Sequence, residues 1–346
     1  MTRRASTRRR FLGRCSAITA VGLAGCAGGD DSDETDSTPT PTDDGGAGPA
    51  TATDEPTATE TATPERAAVE TLVSVGGDRV PENMAFGPDG GLYFGITAGE
   101  VRRVPPDETG ATGLALADTE QIATLPGAIG VETAPDGTVY VAVATQDDRA
   151  GVWEVPPDGE AAPLVGVSGF PNDIHYDADR ERLLVTESQN GVVYAVTTGG
   201  ERSTWLDDDR LDTESFGANG ITRSGGDIYV AVTRAPEETG RLLRVPVESD
   251  GSPGEPSMFF EGAAVFGADG ITSRDGDIYV AANSQNRVVR VTADGTTEAV
   301  ATGDDGLVFP SDVLFGPGEG RASLFICNFA NQSPEDGAIL RTSVPR

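Results

Sequence analysis

The chain has 346 residues and a formal net charge of −31, with 56 acidic residues against 25 basic ones, all of them arginine. So large an acidic excess argues against binding nucleic acid or an anionic membrane surface by charge, and it is a composition that strong salt favours, which predicts a salt-loving source. Three cysteines are too few and too scattered for a disulfide framework or a cysteine-built zinc site, and a single histidine disfavours a histidine-built one.

Residues 1–26 read as an address. Thr7-Arg8-Arg9-Arg10-Phe11-Leu12 carries the paired arginines of a twin-arginine signal, and a mild Ala/Gly-rich apolar run leads to Leu23-Ala24-Gly25-Cys26, which looks like a lipobox. The expectation is a lipoprotein precursor exported already folded, lipidated at Cys26, and tied to the outer face of the cell membrane only by that anchor, since no stretch is long enough to span a bilayer. Residues 27–66 are Thr, Pro, Asp, Glu, Gly and Ala with almost no larger apolar residue, so they cannot bury a core and are expected to form a disordered stalk.

From residue 67 to 346 the chain predicts one all-β domain. Phe216-Gly217-Ala218-Asn219-Gly220-Ile221-Thr222, followed by Gly226-Asp227-Ile228-Tyr229-Val230-Ala231, recurs 50 residues later as Phe266-Gly267-Ala268-Asp269-Gly270-Ile271-Thr272 and Gly276-Asp277-Ile278-Tyr279-Val280-Ala281. Weaker copies begin at Pro81, Ala128, Pro171 and Pro310, each with an apolar residue at the fourth position. A repeat of this length built from short strands points to a six-bladed β-propeller with four-stranded blades. The second strands carry Leu92-Tyr93, Val139-Tyr140, Leu183-Leu184, Ile228-Tyr229, Ile278-Tyr279 and Leu324-Phe325, with turns such as Pro88-Asp89-Gly90 and Pro135-Asp136-Gly137 between strands. The sixth repeat ends after its third strand, Ala338 to Thr342, so Val69 to Val75 is expected to supply the missing fourth strand and close the ring, leaving no long sheet edge exposed. Cys327 is expected as a small buried residue on a strand.

The second position of the repeat reads Glu82, Ile129, Asn172, Asn219, Asp269, Ser311. In a propeller these positions face the central channel from different blades. Carboxylates plus amide carbonyls, completed by water, make a hard-cation site of the kind Ca²⁺ prefers. The bland alternative is that Asn-Gly and Asp-Gly are ordinary turn formers. Asp173 and Asp312 share the next register and read as turn caps. His175, three residues beyond Asn172, reads as a hydrogen-bonded packing residue.

Glu in the first blade, Asn-Gly in one blade and Asp-Gly-Ile in the next resembles the senescence marker protein, gluconolactonase and luciferin-regenerating enzyme family of six-bladed propellers, over roughly residues 69–345. The resemblance implies one divalent cation, Ca²⁺ or Zn²⁺, on Glu82, Asn219 and Asp269, with Asn172 as a further ligand or substrate contact. It also implies metal-assisted hydrolysis of a lactone or related ester with Asp269 as base toward water.

Members of that family acting on sugar lactones commonly place an arginine two residues before the third-blade Asn. Here that position is Phe170, and Phe216, Phe266 and Phe309 also precede the column. These rings read either as core between blades or as an apolar channel mouth that would take a substrate less polar than a sugar acid. The competing function is a non-catalytic propeller that binds a ligand or partner protein at the cell surface. A quinone-dependent dehydrogenase is disfavoured by the single histidine and the absence of lysine.

Overall fold

The computed structural model describes residues 67–344, apart from 78 and 319–321. The export signal of residues 1–26 with Cys26, and the stalk of residues 27–66, lie outside the described residues.

The described chain is six antiparallel sheets in a ring, a six-bladed β-propeller, with short 3₁₀ turns and no α-helix among the described residues. Strand β1 (Glu70–Ser74) comes first. Blade 1 is β2 (Pro81–Phe86), β3 (Leu92–Ile96) and β4 (Glu100–Val104); after the short β5 (Leu114–Ala115) it ends with β6 (Glu120–Thr124). Blade 2 is β7 (Val131–Thr133), β8 (Val139–Val143), β9 (Gly151–Val155) and β10 (Ala162–Gly166). Blade 3 is β11 (Pro171–Asp177), β12 (Arg182–Glu187), β13 (Val192–Thr197) and β14 (Arg202–Asp207). Blade 4 is β15 (Ala218–Ser224), β16 (Asp227–Ala235), β17 (Thr239–Pro246) and β18 (Ser257–Gly262). Blade 5 is β19 (Ala268–Arg274), β20 (Asp277–Ala282), β21 (Arg287–Val291) and β22 (Thr297–Ala301). Blade 6 is β23 (Pro310–Phe315), β24 (Ser323–Asn328) and β25 (Ala338–Ser343).

The ring closes as the sequence predicts. β1 pairs antiparallel with β25, Glu70 opposite Arg341 and Ser74 opposite Ala338, so the N-terminal strand is the fourth strand of the last blade. One feature escapes the repeat: β5, in the loop between β4 and β6, pairs parallel to β1 through Val73–Leu114 and Ser74–Ala115 and covers the closing strand's outer edge.

Because each blade packs on a neighbour through both faces, its middle strands are apolar in continuous runs rather than in alternation; Val139–Val143 is buried throughout. The core is correspondingly divided into clusters at the interfaces between blades. Leu184, Val193 and Leu206 of blade 3 meet Ile221, Val230 and Leu243 of blade 4 in one cluster, for example. In another, Leu72 and Val73 of β1 join Met84, Phe94, Phe325 and the buried free Cys327 at the junction of blades 6 and 1. Among the described residues no helix is long and apolar enough to cross a membrane.

Candidate functional site

Each polar position of the column lies at the start of an inner strand, on a β-bulge. Pro171 pairs with Glu187 and Ile174 with Val185, so Asn172 and Asp173 together oppose the single residue Thr186. The same two-against-one count places Glu82 and Asn83 opposite Gly95, Asn219 and Gly220 opposite Ala231, and Asp269 and Gly270 opposite Ala281. β23 carries a register shift between Pro310 and Asp312, at Ser311. A bulge breaks the alternation that would send successive side chains into neighbouring blade cores, and so frees polar residues from apolar surroundings: two in blades 1 and 3, one in blades 4 and 5. The Asn-Gly and Asp-Gly pairs are therefore strand residues and not hairpin turns.

The first residue of each bulge forms a converging polar set. Asp269 accepts hydrogen bonds from Asn219 and, at Oδ2, from Asn283 Nδ2 at 2.7 Å. Asn219 Nδ2 also donates to Thr233 Oγ1 at 2.9 Å. Asn172 Nδ2 donates to Ser188 Oγ at 2.9 Å, and Ser188 in turn donates to the Ala218 carbonyl at 2.6 Å, so the orientation of the Asn172 amide is set by a relay into the next blade. Ser311 Oγ donates to the Glu82 carbonyl. Glu82 is half-buried, and the groups acting on its carboxylate are the acids Asp269, Asp312 and Asp173. Asn172, Asn219 and Asp269 are buried.

Asn83, Asp173 and Asp312, each following a column residue, tie the blades together, which corrects the reading of Asp173 and Asp312 as turn caps. Asp312 of blade 6 accepts from Met84 N of blade 1 at 3.0 Å. Asn83 of blade 1 accepts from Val131 N of blade 2 at 2.9 Å and donates to Asp173 Oδ1 at 3.2 Å. Asp173 of blade 3 accepts from Ile221 N of blade 4 at 2.9 Å. Where the second residue is glycine, a side chain has no room: a Cβ on Gly220 would collide with the Asp269 carbonyl oxygen, and one on Gly270 with the Asp312 carboxylate.

Four carboxyl groups thus share the channel, and no basic side chain appears among the groups acting on them. Burial raises Glu82 well above the ordinary carboxylate range, and repulsion from Asp269, Asp312 and Asp173 raises it further. Burial likewise raises Asp269 to about 7, against the hydrogen bonds from Asn283 and Asn219, and Asp173 to about 6. Asp312 is raised well above its usual range by burial and by Asp173. Such a cluster requires protons or a cation at neutral pH. Among the described residues no group of three or more His, Cys, Asp or Glu is placed to hold a metal. Two carboxylates, Glu82 and Asp269, with amide oxygen and water make a donor set of the kind a hard divalent ion takes.

Farther along the inner strands lies an acid that the column alignment passed over. Glu132 accepts from Thr133 N at 2.8 Å and from Tyr176 N of blade 3 at 3.2 Å, yet burial raises it to about 7. Its signal in the sequence is an acid between Val131 and Thr133 on a short inner strand, opposite Tyr140. His175 lies beside it, Nδ1 4.0 Å from Glu132 Oε2; burial lowers its pKa to about 4, and Nε2 makes no hydrogen bond. The expected hydrogen-bonded packing role is thus only half correct: His175 packs as a neutral ring.

The phenylalanines before the column are half-buried. Phe170 and Phe216 meet edge to face across blades 3 and 4, with centroids 4.9 Å apart, and Phe309 lies 5.9 Å from Phe329. Two surface clefts lie elsewhere: one of about 320 Å³ is lined by Phe86, Pro106 and Pro317, the other of about 280 Å³ by Arg182, Trp205 and Pro253.

Residues 67–104 match the family described as strictosidine synthase-like, N-terminal. No curated protein matches. Among solved structures, the chain is similar to a gluconolactonase from Xanthomonas campestris, with a TM-score of 0.60, 17% identity, and coverage of 81% of this chain and 90% of that one. It is similar to a calcium-binding protein, regucalcin, from Agrobacterium tumefaciens at a TM-score of 0.57 and 17% identity, covering 78% and 94%. It is also similar to an auxiliary nutrient binding protein from Bacteroides thetaiotaomicron at 0.61 and 11%, covering 80% and 76%. At these identities the likeness establishes the propeller fold.

Proposed function

We propose that this protein is an exported, lipid-anchored, metal-dependent hydrolase of a lactone or related ester. The observation that carries the reading is the set of carboxyl groups that repel one another at the channel, in which Glu82 is raised by Asp269, Asp312 and Asp173 while Asp269 is held by two amides. Glu82, Asn219 and Asp269 would hold one divalent cation, Ca²⁺ by the hardness of their oxygens, with Asn172 as a further ligand or a substrate contact. When bound, the cation supplies polarisation of the substrate carbonyl and stabilisation of the charge that develops on its oxygen.

The chain's own residues do the rest. Asn283 at Oδ2 and the Asn219 amide orient the Asp269 carboxylate, which in this reading takes a proton from the attacking water. Ser188 and Thr233 hold the amide nitrogens of Asn172 and Asn219, so that the amide oxygens are the atoms offered to the channel. The similarity in fold to a gluconolactonase and to a calcium-binding regucalcin supports this reading. The twin arginines at Arg8 and Arg9 and the motif ending at Cys26 support export and lipid attachment on the outer face of the membrane.

A second reading, a surface propeller that binds a small ligand without turnover, is favoured by the burial of Asn172, Asn219 and Asp269 and by the likeness to a nutrient binding protein. Hydrolysis of a panel of aliphatic, aromatic and sugar lactones, with and without chelator, separates the two. Turnover abolished by chelator and restored by Ca²⁺ is the expected result. An Asp269→Ala variant that keeps the full rate would sink the hydrolase mechanism.

A further inference from the structure

In each blade the chain passes from the outer strand of one blade to the inner strand of the next, so the residues just before an inner strand lie at the channel end that carries the column. Phe170 immediately precedes β11 and Phe309 precedes β23; Phe216 and Phe266 stand two residues before β15 and β19; Phe329 directly follows β24 at the same end. These are five of the chain's 12 phenylalanines, and all five are half-buried although the core beneath them is closed.

Their backbones are pinned rather than loose. Phe170 N–H donates to Oε1 of the fully buried Glu187 at 2.7 Å, and that carboxylate also accepts from Gln189 and Asn190. The Phe216 carbonyl accepts from Arg234 N at 3.2 Å, and the Phe266 carbonyl from Gln285 Nε2 at 3.0 Å. Phe309 is held in left-handed backbone at φ 49°, a conformation that disfavours a bulky residue, by a 2.8 Å bond from its N–H to Asn286 Oδ1 of blade 5. A residue kept in strained backbone with its ring half in water is a candidate for a role at the channel mouth.

We propose that this aromatic rim selects the substrate: an ester or lactone whose reacting carbonyl reaches the polar column while an aromatic or branched aliphatic substituent rests against Phe170 and Phe216. The proposal rests on the hydrolase reading. In the reaction, water adds its oxygen to the carbonyl carbon, the acyl–oxygen bond of the ring breaks, and the departing ring oxygen takes up a proton to give a hydroxy acid. A sugar lactone would present hydroxyl groups to rings that offer them no hydrogen bond, which disfavours it.

The test uses the full chain in molar salt with γ-phenyl-γ-butyrolactone, γ-butyrolactone and glucono-δ-lactone, alongside calorimetric titration with 3-phenylcyclopentanone, a ring that cannot be hydrolysed. The phenyl lactone should be preferred over both others by about tenfold or more in kcat/KM. Phe170→Ala and Phe216→Ala should each remove most of that preference, chiefly through KM, and weaken the ketone by about tenfold. Phe170→Leu, which keeps apolar bulk, should retain part of it if the alanine variant folds poorly. Turnover with no preference for the phenyl lactone, or a rim variant that depresses all three substrates alike, overturns the rim while the hydrolase stands. No turnover, but ketone binding that Phe170→Ala weakens, overturns the hydrolase and keeps the rim as a ligand-selecting surface. Absence of both turnover and ketone binding overturns the rim.

Discussion

Replacing Glu132 by glutamine should change the stability of the domain by an amount that depends on pH. Burial raises the Glu132 carboxyl from an ordinary 4.5 to about 7, and its side chain is 23% exposed, so solvent screens it little. His175 beside it is lowered to about 4 and stays neutral above that, offering no compensating charge. Below about pH 4.5 the folded and unfolded chains both hold the proton. Between about 4.5 and 7 the unfolded chain releases it while the folded chain keeps it, so stability falls as pH rises, and the loss is complete above about 7. A shift of that size corresponds to about 3 kcal/mol, or roughly 6–12 °C in Tm for a domain of this size.

Glu132→Gln cannot ionise. It gives up one of the two backbone acceptors that serve Thr133 and Tyr176, costing about 1 kcal/mol at every pH. The variant should therefore be slightly less stable than the parent near pH 4.5 and more stable by about 2 kcal/mol near pH 8. Urea unfolding followed by circular dichroism at several pH values, at constant salt, measures the difference. A stability difference that is the same at pH 5 and pH 8 would refute the argument that Glu132 is a buried acid without a partner charge.

Other substitutions probe the ring and the site. Gly220→Ala places a methyl group against the Asp269 carbonyl oxygen and should destabilise by about 2 kcal/mol or more, visible as a lowered Tm. Leu72→Ala empties part of the fully buried junction between β1 and blade 1 and should cost about 2–5 kcal/mol in chemical unfolding. At pH 8, Ca²⁺ at a hundredfold excess over its dissociation constant should stabilise the domain by about 2.7 kcal/mol, and Glu82→Gln should abolish most of that gain; an equal gain in the variant would remove Glu82 from the cation site. Cys26→Ser should move the protein from the membrane fraction to the medium, as read by fractionation and blotting.

The sequence by itself determined the propeller. A repeat length, an apolar residue at the fourth position of each copy and paired apolar or apolar-aromatic residues on the second strands are local quantities, and six copies of them leave one closed architecture available. Even the closing strand was legible, because a sixth repeat short of one strand and a spare strand at the other end have one efficient solution. That Glu82, Asn172, Asn219 and Asp269 stand at the starts of four inner strands follows from the same repeat.

Tertiary structure alone decided what the neighbouring residues do. Asp173 and Asp312 looked like local turn caps, and Asn83 drew no reading, because a bulge is invisible in a single strand: it exists only in the count of residues against a partner, and it turns these side chains toward the backbone of another blade. Glu132 and His175 sit in the same rows as apolar or hydroxyl residues in other blades, and only the low-dielectric contact between blades 2 and 3 gives them displaced pKa values. Likewise, the distance of Phe170 from Phe216 is set by two blades meeting near the axis, which no spacing along one strand encodes. Periodicity along a chain specifies which elements form and which face is buried; the charge a buried group feels and the partner it meets depend on packing between elements far apart in sequence.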